Sequence, residues 1–260
     1  MMVDNLKLKR QIAALREEGF VVVRGLVDAK RCAAIRGVAE VQLAANAAPL
    51  EYEADLSYPG APASRQAAGG ETVRRLLDAY GRDALFRQWA GSPEIAAWME
   101  MYFGERAVLS RVHHNCVMTK HPAYGSLTGW HRDARYWSFK RDDLVSVWLA
   151  LGPEKVENGA LWLVPKSQRL QLSAERFDQA KFFRAEPPEN IELINTACST
   201  ELEAGDVVFF HCNTLHSAGP NKTDAVKFSL VFTYHGVSNP PLPASRSASH
   251  SEVALALSRA

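Results

Sequence analysis

The amino-acid sequence predicts an α+β, mainly β fold: an antiparallel sandwich or barrel with helices packed against its outside. Three observations carry this reading. Runs rich in β-branched and aromatic residues recur after Gly104: AVLSRVHHNCVMT, LVSVWLALG, GALWLVP, DVVFFH and KFSLVFTYH. Turn signals separate them, at Glu157-Asn158-Gly159, Ala204-Gly205-Asp206 and Gly219-Pro220-Asn221. Before Gly104, apolar residues fall mostly at helical spacing.

In chain order, residues 5–18 carry Leu6, Ile12, Leu15 and their neighbours as one helical stripe, and Gly19 ends that helix. Phe20 to Leu26 (FVVVRGL) reads as a strand, and Asp28 caps a helix running to about Leu43. Residues 44–70 contain YPGAPAS and AAGG and read as a long loop, of the kind that forms functional lids. Helical stretches follow near Glu71–Tyr80 and Pro93–Tyr102. The strand-rich core then spans about residues 105–236, closing a single domain over 1–236. The tail 237–260 is Pro/Ser-rich through NPPLPASRSASH and is expected to be extended, with a short helix or disorder over 251–260.

Composition narrows the function classes. At 260 residues, 47% hydrophobic and 23% charged, the chain has the profile of a soluble globular domain. A net charge of +1 gives no bulk attraction for nucleic acid or anionic membrane. No apolar run reaches membrane-spanning length, and MMVDNLKLKRQ is followed by no signal-peptide core. The cysteines (Cys32, Cys116, Cys198, Cys212) lack CxxC spacing and read as reduced thiols, so a cytoplasmic location is expected.

The chemistry centres on His131-Arg132-Asp133. On a strand, residues i and i+2 share a face, so an imidazole and a carboxylate can converge on one ion. His216, in LHSAGPN between two strand-like runs, supplies a third ligand. Two histidines and one carboxylate leave a face of the metal open, the arrangement used by non-haem Fe(II) for a chelating cosubstrate and O2. The pair lies in the aromatic segment GWHRDARYWSF, unlike a surface ion pair. Eleven residues beyond His216, Lys227 and Ser229 share a face of the next strand and can hold a dicarboxylate's distal end. His-Arg-Asp also opens a kinase catalytic loop, but position 138 is Ser where that loop needs Asn, and no Gly-rich phosphate loop accompanies it.

TGWHRDARYWSF, LVSVWLALGPEKVENGALWLVPKSQR and ELEAGDVVFFHCNTLHSAGPNKTDAVKFSLVFTYH together resemble the phytanoyl-CoA dioxygenase family of Fe(II)/2-oxoglutarate oxygenases, across about residues 107–235. The resemblance implies a double-stranded β-helix, a jelly-roll and cupin relative, with Fe(II) held by His131, Asp133 and His216 at its mouth. It implies 2-oxoglutarate as cosubstrate with O2, and Trp148 lying against the cosubstrate. Halogenating relatives replace the carboxylate with Gly or Ala, so Asp133 favours hydroxylation or desaturation. The chain departs from the family at Lys227, where arginine is usual. Lysine offers a point charge on a flexible stem in place of a two-pronged grip.

Thr128 and Met118 are further candidates beside the cosubstrate. Arg135, Tyr136 and Trp137, close after the ligand pair, and Arg111 and His113, alternating with Asn115 on one strand, are candidates for substrate. Trp137 and Phe139 serve equally well as barrel wall. Two other functions compete: a non-oxygenase cupin-like metalloenzyme, and a non-catalytic sensor of 2-oxoglutarate or metal. A small-molecule substrate is expected, reached through lids at 44–70 and 172–195.

Overall fold

A computed structural model describes residues 5–56 and 58–256. The elements run α1 (Asn5–Glu18), β1 (Phe20–Val23), α2 (Ala29–Ala44), β2 (Leu50–Tyr52), β3 (Val73–Leu77), α3 (Ala79–Arg82), α4 (Ala84–Ala90), α5 (Pro93–Phe103), β4 (Ala107–Lys120) and β5 (Thr128–His131). They continue with β6 (Leu144–Ala150), β7 (Leu161–Leu163), α6 (Pro188–Ile194), β8 (Cys198–Ser199), β9 (Val207–His211), β10 (His216–Ala218), β11 (Lys227–Gly236) and β12 (Val253–Ala254). Among the described residues the strands form two antiparallel sheets. The larger is ordered β1-β9-β6-β11-β4-β3-β2, with β12 added to β4, and the smaller β5-β10-β7-β8.

Period-two alternation decides which face of the large sheet does what. Phe228, Leu230, Phe232 and Tyr234 of β11 join Val145, Val147 and Leu149 of β6 and Val207 and Phe209 of β9 in the core beneath the helices. The intervening Trp148, Ala150, Val208, Phe210 and Val231 turn the other way and pack on Leu161, Leu163 and Ala218 of the small sheet. The first face is thus covered by helices, and the second closes the barrel interior.

The helices form as their ends dictate. Asp28 has extended backbone and its carboxylate accepts the Arg31 N–H at 2.9 Å, capping α2. Ser92 does the same for α5. The buried stripe of α1 is Leu8, Ile12 and Leu15, while Leu6 is exposed.

The structure departs from the sequence reading in four places. Residues expected to be helical near Glu71–Tyr80 form β3 and the short α3. Val73 and Leu76 are buried there because β3 pairs with β2 and β4, and pairing overrides local propensity. The loop 44–70 contains β2, and α4 was not anticipated. Arg111, His113 and Asn115 do not alternate on one face: pairing of β4 with β11 jumps from Asn115↔Phe232 to Ser110↔Thr233, so residues 111–114 bulge out. Finally, the tail folds back over the barrel. Leu242 N–H donates to the Ser138 carbonyl at 2.8 Å, Ser138 N–H donates to Ser247 Oγ at 2.9 Å, and Leu255 is buried. Residues 253–254 are strand, not helix, and 257–260 lie outside the described residues.

Gly19 links this frame to the site. Its φ of +86° lets α1 stop and β1 begin, and a Cβ there would stand 2.4 Å from Gln168 Oε1 and 2.7 Å from Thr214 Oγ1. Its carbonyl accepts from His211 N–H and Thr214 Oγ, beside the loop that delivers His216. Gly19→Ala is expected to destabilise the fold by about 1–2 kcal/mol through the left-handed backbone alone, read as a lowered denaturation midpoint. An unchanged midpoint would show that this junction relaxes freely.

Candidate metal centre

β5 and β10 pair in a register that sets His131 directly opposite His216, with ring centroids 4.2 Å apart. Asp133 does not continue the strand, as the i, i+2 reading expected. Arg132 is extended and Asp133 begins a 3-10 turn (Asp133–Tyr136), and this brings its carboxylate under the two rings. Asp133 Oδ1 lies 3.6 Å from His131 Nε2 and 3.5 Å from His216 Nε2. All three side chains are buried, and one ligand atom from each lies within 4.8 Å of the others.

The tautomers are set from behind. His131 Nδ1 is 2.8 Å from the Gly129 carbonyl, and His216 Nδ1 is 3.0 Å from that of Thr214. A carbonyl only accepts, so both Nδ1 atoms carry the proton and both Nε2 lone pairs face Asp133. Asp133 Oδ1 is buried without a hydrogen-bond partner, which in a carboxylate is costly unless a cation sits there. Its other oxygen accepts from Ser146 Oγ at 3.4 Å and lies 3.2 Å from His114 Nδ1. Two inward imidazole lone pairs and an orphaned anionic oxygen fit a divalent metal.

Burial pulls the His216 imidazole down to about 4, reinforced by His131, so it is neutral and ready to ligate. Burial alone would raise the Asp133 carboxyl, but His114 and His216 beside it hold it well below the usual carboxylate range.

A cavity of about 190 Å³ opens from the triad, and Lys227, Ser229, Trp148, Thr128 and Met118 all line it. Lys227 Nζ lies 5.2 Å from the Trp148 ring centre. Thr128 Oγ1 accepts from Arg74 at 3.0 Å. Lys227, Ser229 and Trp148 also meet a carboxylate absent from the sequence reading. Glu154, fully buried, accepts from Lys227 Nζ at 2.9 Å, Ser229 Oγ at 2.6 Å and Trp148 Nε1 at 2.9 Å. Lys120 was likewise missed. It is the register partner of Lys227 and lines the same cavity, and its ammonium donates to the carbonyls of Gly219 at 2.6 Å and Ala218 at 3.3 Å. Met118 and Lys120 are two apart on one strand, a spacing that signalled their shared face.

Of the substrate candidates, His113 and Tyr136 line the cavity. His113 sits in the β4 bulge at φ 59°, with its Nε2 buried and unpartnered. Arg111 pairs with Asp78 at 3.1 Å, and Asn115 donates to the same carboxylate. Arg135 lies 3.8 Å above the Phe182 ring and donates to the Ala180 carbonyl, bracing the 172–195 segment. Trp137 packs with Phe139, Val112, Leu144 and Cys212 as barrel wall. Tyr58 and Arg246, which the sequence did not single out, line the cavity as well, Arg246 coming from the returning tail.

Fold and site together define a class: a double-stranded β-helix with a two-histidine, one-carboxylate metal centre. The phytanoyl-CoA dioxygenase (PhyH) family matches residues 15–229, and the chain belongs to that family. It is 24% identical to human peroxisomal phytanoyl-CoA dioxygenase over 87% of this chain and 68% of that protein. It is also 24% identical to ectoine dioxygenase of Bordetella bronchiseptica, over 88% and 75%. Among solved structures, the epimerase SnoN from nogalamycin biosynthesis, in complex with Fe3+, alpha ketoglutarate and nogalamycin RO, is 26% identical with a TM-score of 0.74, over 92% of this chain and 88% of that one. EctD from S. alaskensis with 2-oxoglutarate and 5-hydroxyectoine shares the fold at 20% identity and a TM-score of 0.74, over 90% and 77%. The chain is accordingly a non-haem iron, 2-oxoglutarate-dependent dioxygenase.

His131→Ala is expected to abolish Fe(II) binding in anaerobic calorimetry. His114→Ala, which removes only support for Asp133, should weaken it by about 10–100-fold. Equal losses in both variants would mean that His114 is itself a ligand.

Proposed function

We propose that this enzyme hydroxylates a small molecule, with Fe(II) held by His131, Asp133 and His216 and 2-oxoglutarate held along the Lys227–Trp148 side of the cavity. The observation that carries this is one cavity that reaches from His131 and His216 of the buried three-ligand cluster to two buried lysines, Lys120 and Lys227. A bound Fe(II) supplies O2 activation coupled to decarboxylation of 2-oxoglutarate, giving succinate, CO2 and an oxidised substrate. The chain's own work is to position and to exclude water. Lys227 and Lys120 give the distal carboxylate of 2-oxoglutarate its cations, and Thr128, Met118 and Trp148 wall the cosubstrate. His114 and Ser146 keep one oxygen of Asp133 occupied and the other free.

The substrate end of the cavity is bounded by His113, Tyr136, Tyr58 and Arg246. The phenols of Tyr58 and Tyr136 stand 3.3 Å apart, and Arg246 has no acidic partner among the described residues. Arg135, Trp137 and Arg111 act one step removed, by holding the segments that carry these groups. We place the protein in the cytoplasm on the strength of its free cysteines. No helix among the described residues is long and apolar enough to cross a membrane.

The test is anaerobic titration with Fe(II) and 2-oxoglutarate, watching for the weak visible charge-transfer band, then a substrate screen for succinate and a product heavier by one oxygen. No band and no succinate would sink the reading; succinate with a product of unchanged mass would replace hydroxylation by epimerisation. Lys227→Ala should weaken 2-oxoglutarate far more than Fe(II), and equal affinity to wild type would remove Lys227 from the site.

Lys120 makes the cosubstrate affinity depend on pH. Burial and the neighbouring Lys227 pull its ammonium down to about 7. An anion binds the protonated form, so affinity is full below that value and falls as pH rises through it, by up to about tenfold per unit. The carboxylates of 2-oxoglutarate stay ionised throughout. Calorimetry between pH 6.5 and 8.5 should show proton uptake on binding, and Lys120→Met should flatten the profile.

A further inference from the structure

We propose that Glu154 is a specificity-determining positioning residue: a built-in carboxylate that shares the Lys227 ammonium with the cosubstrate and so weakens selection for a dicarboxylate. The proposal rests on the reading that 2-oxoglutarate binds against Lys227.

Glu154 is held where it is. Its backbone bridges Leu202 in both directions, with N–H to carbonyl distances of 2.9 Å each way, and its side chain is fully buried. Lys227, Ser229 and Trp148 line the cavity, whereas Glu154 does not. It therefore stands behind them, and it sets what they can offer to the front. Ser229 has one hydroxyl hydrogen and Trp148 one indole hydrogen, and both are given to Glu154 Oε1. Ser229 thus presents lone pairs to the cavity, and Trp148 presents only its ring.

Lys227 is different, because an ammonium has three hydrogens and Glu154 Oε2 takes one. A cosubstrate carboxylate on another of them shares the cation with Glu154, and two oxygens on one ammonium stand roughly 5 Å apart. Two opposed effects follow. Glu154 stiffens a flexible stem, which favours binding. It also sets a like charge close to the incoming anion in a buried site, which opposes binding and outweighs loss of a rotamer. The second effect wins, so removing the charge tightens binding.

The experiment is calorimetry on Mn(II)-loaded protein, a redox-inert stand-in, with 2-oxoglutarate and with 2-oxopentanoate, which has a methyl in place of the distal carboxylate. E154Q keeps the shape, and E154M tests the same point should E154Q fail to fold. Each is expected to bind 2-oxoglutarate at least about tenfold more tightly than wild type, with 2-oxopentanoate unchanged. The gain should vanish when Lys227→Met is added. Unchanged or weaker 2-oxoglutarate binding in a folded variant overturns the proposal, as does an equal gain for 2-oxopentanoate. Failure of wild type to bind 2-oxoglutarate would instead overturn the underlying reading of the site.

Discussion

The strictly two-faced character of β11 is the constraint on which the rest of this structure depends. Phe228, Leu230, Phe232 and Tyr234 are committed to the helix-covered core, so Lys227, Ser229, Val231 and Thr233 must face the barrel interior. A slip of one residue would bury the lysine under the helices and turn four large apolar side chains into the cavity. Register is therefore over-determined by hydrophobic burial, and the polar site inherits that precision. β6 repeats the arrangement, with Trp148 facing inward between Val147 and Leu149.

The interior so created is crowded with ionisable groups, and each is compensated in a specific way. Arg75 is clamped by both oxygens of Glu51, and Arg74 meets Glu53 at 3.3 Å with Ser126 bridging. Glu154 answers Lys227. Lys120 has carbonyls in place of an acid, and burial lowers its basicity accordingly. Two buried carboxylate oxygens among the described residues, Glu53 Oε1 and Asp133 Oδ1, have no hydrogen-bond partner, and of these Asp133 Oδ1 faces two imidazole lone pairs. Buried charge is costly unless matched, and a metal would match the carboxylate oxygen that two imidazole nitrogens also face.

Which of this could be read from the sequence follows from how local each determinant is. The strands after Gly104 and the cap at Asp28 depend on near neighbours and were legible. So were His131, Asp133 and His216 as a set, although the way they converge was not. The sequence HRD carries no sign that the strand stops at His131 and a 3-10 turn lifts Asp133. β3 was hidden because VRRLL suits a helix until β2 and β4 claim its edges. Glu154 was hidden for a similar reason. In PEKVENG it reads as one exposed turn charge among several, and only the return of residues 201–203 to its backbone buries it. Arg111 and Asn115 misled because a bulge breaks the alternation that the strand pattern implied.

The two ends of the cavity are built by different means, and this bears on what each can do. One end is made largely of side chains on paired strands, with His131 set opposite His216 and Lys227 opposite Lys120 by register, while Asp133 comes from the 3-10 turn that follows β5. The opposite end is made of a bulge, a loop residue beside β2, a 3-10 turn and the returning tail, contributing His113, Tyr58, Tyr136 and Arg246. None of those positions is set by strand pairing, so their side chains can change without disturbing the sheet. His113 shows the cost of that freedom. It occupies left-handed backbone and leaves a buried nitrogen unpartnered, which regular strand pairing would have avoided. A fold divided in this way fixes one end of its cavity by strand register and leaves the irregular end open to sequence change.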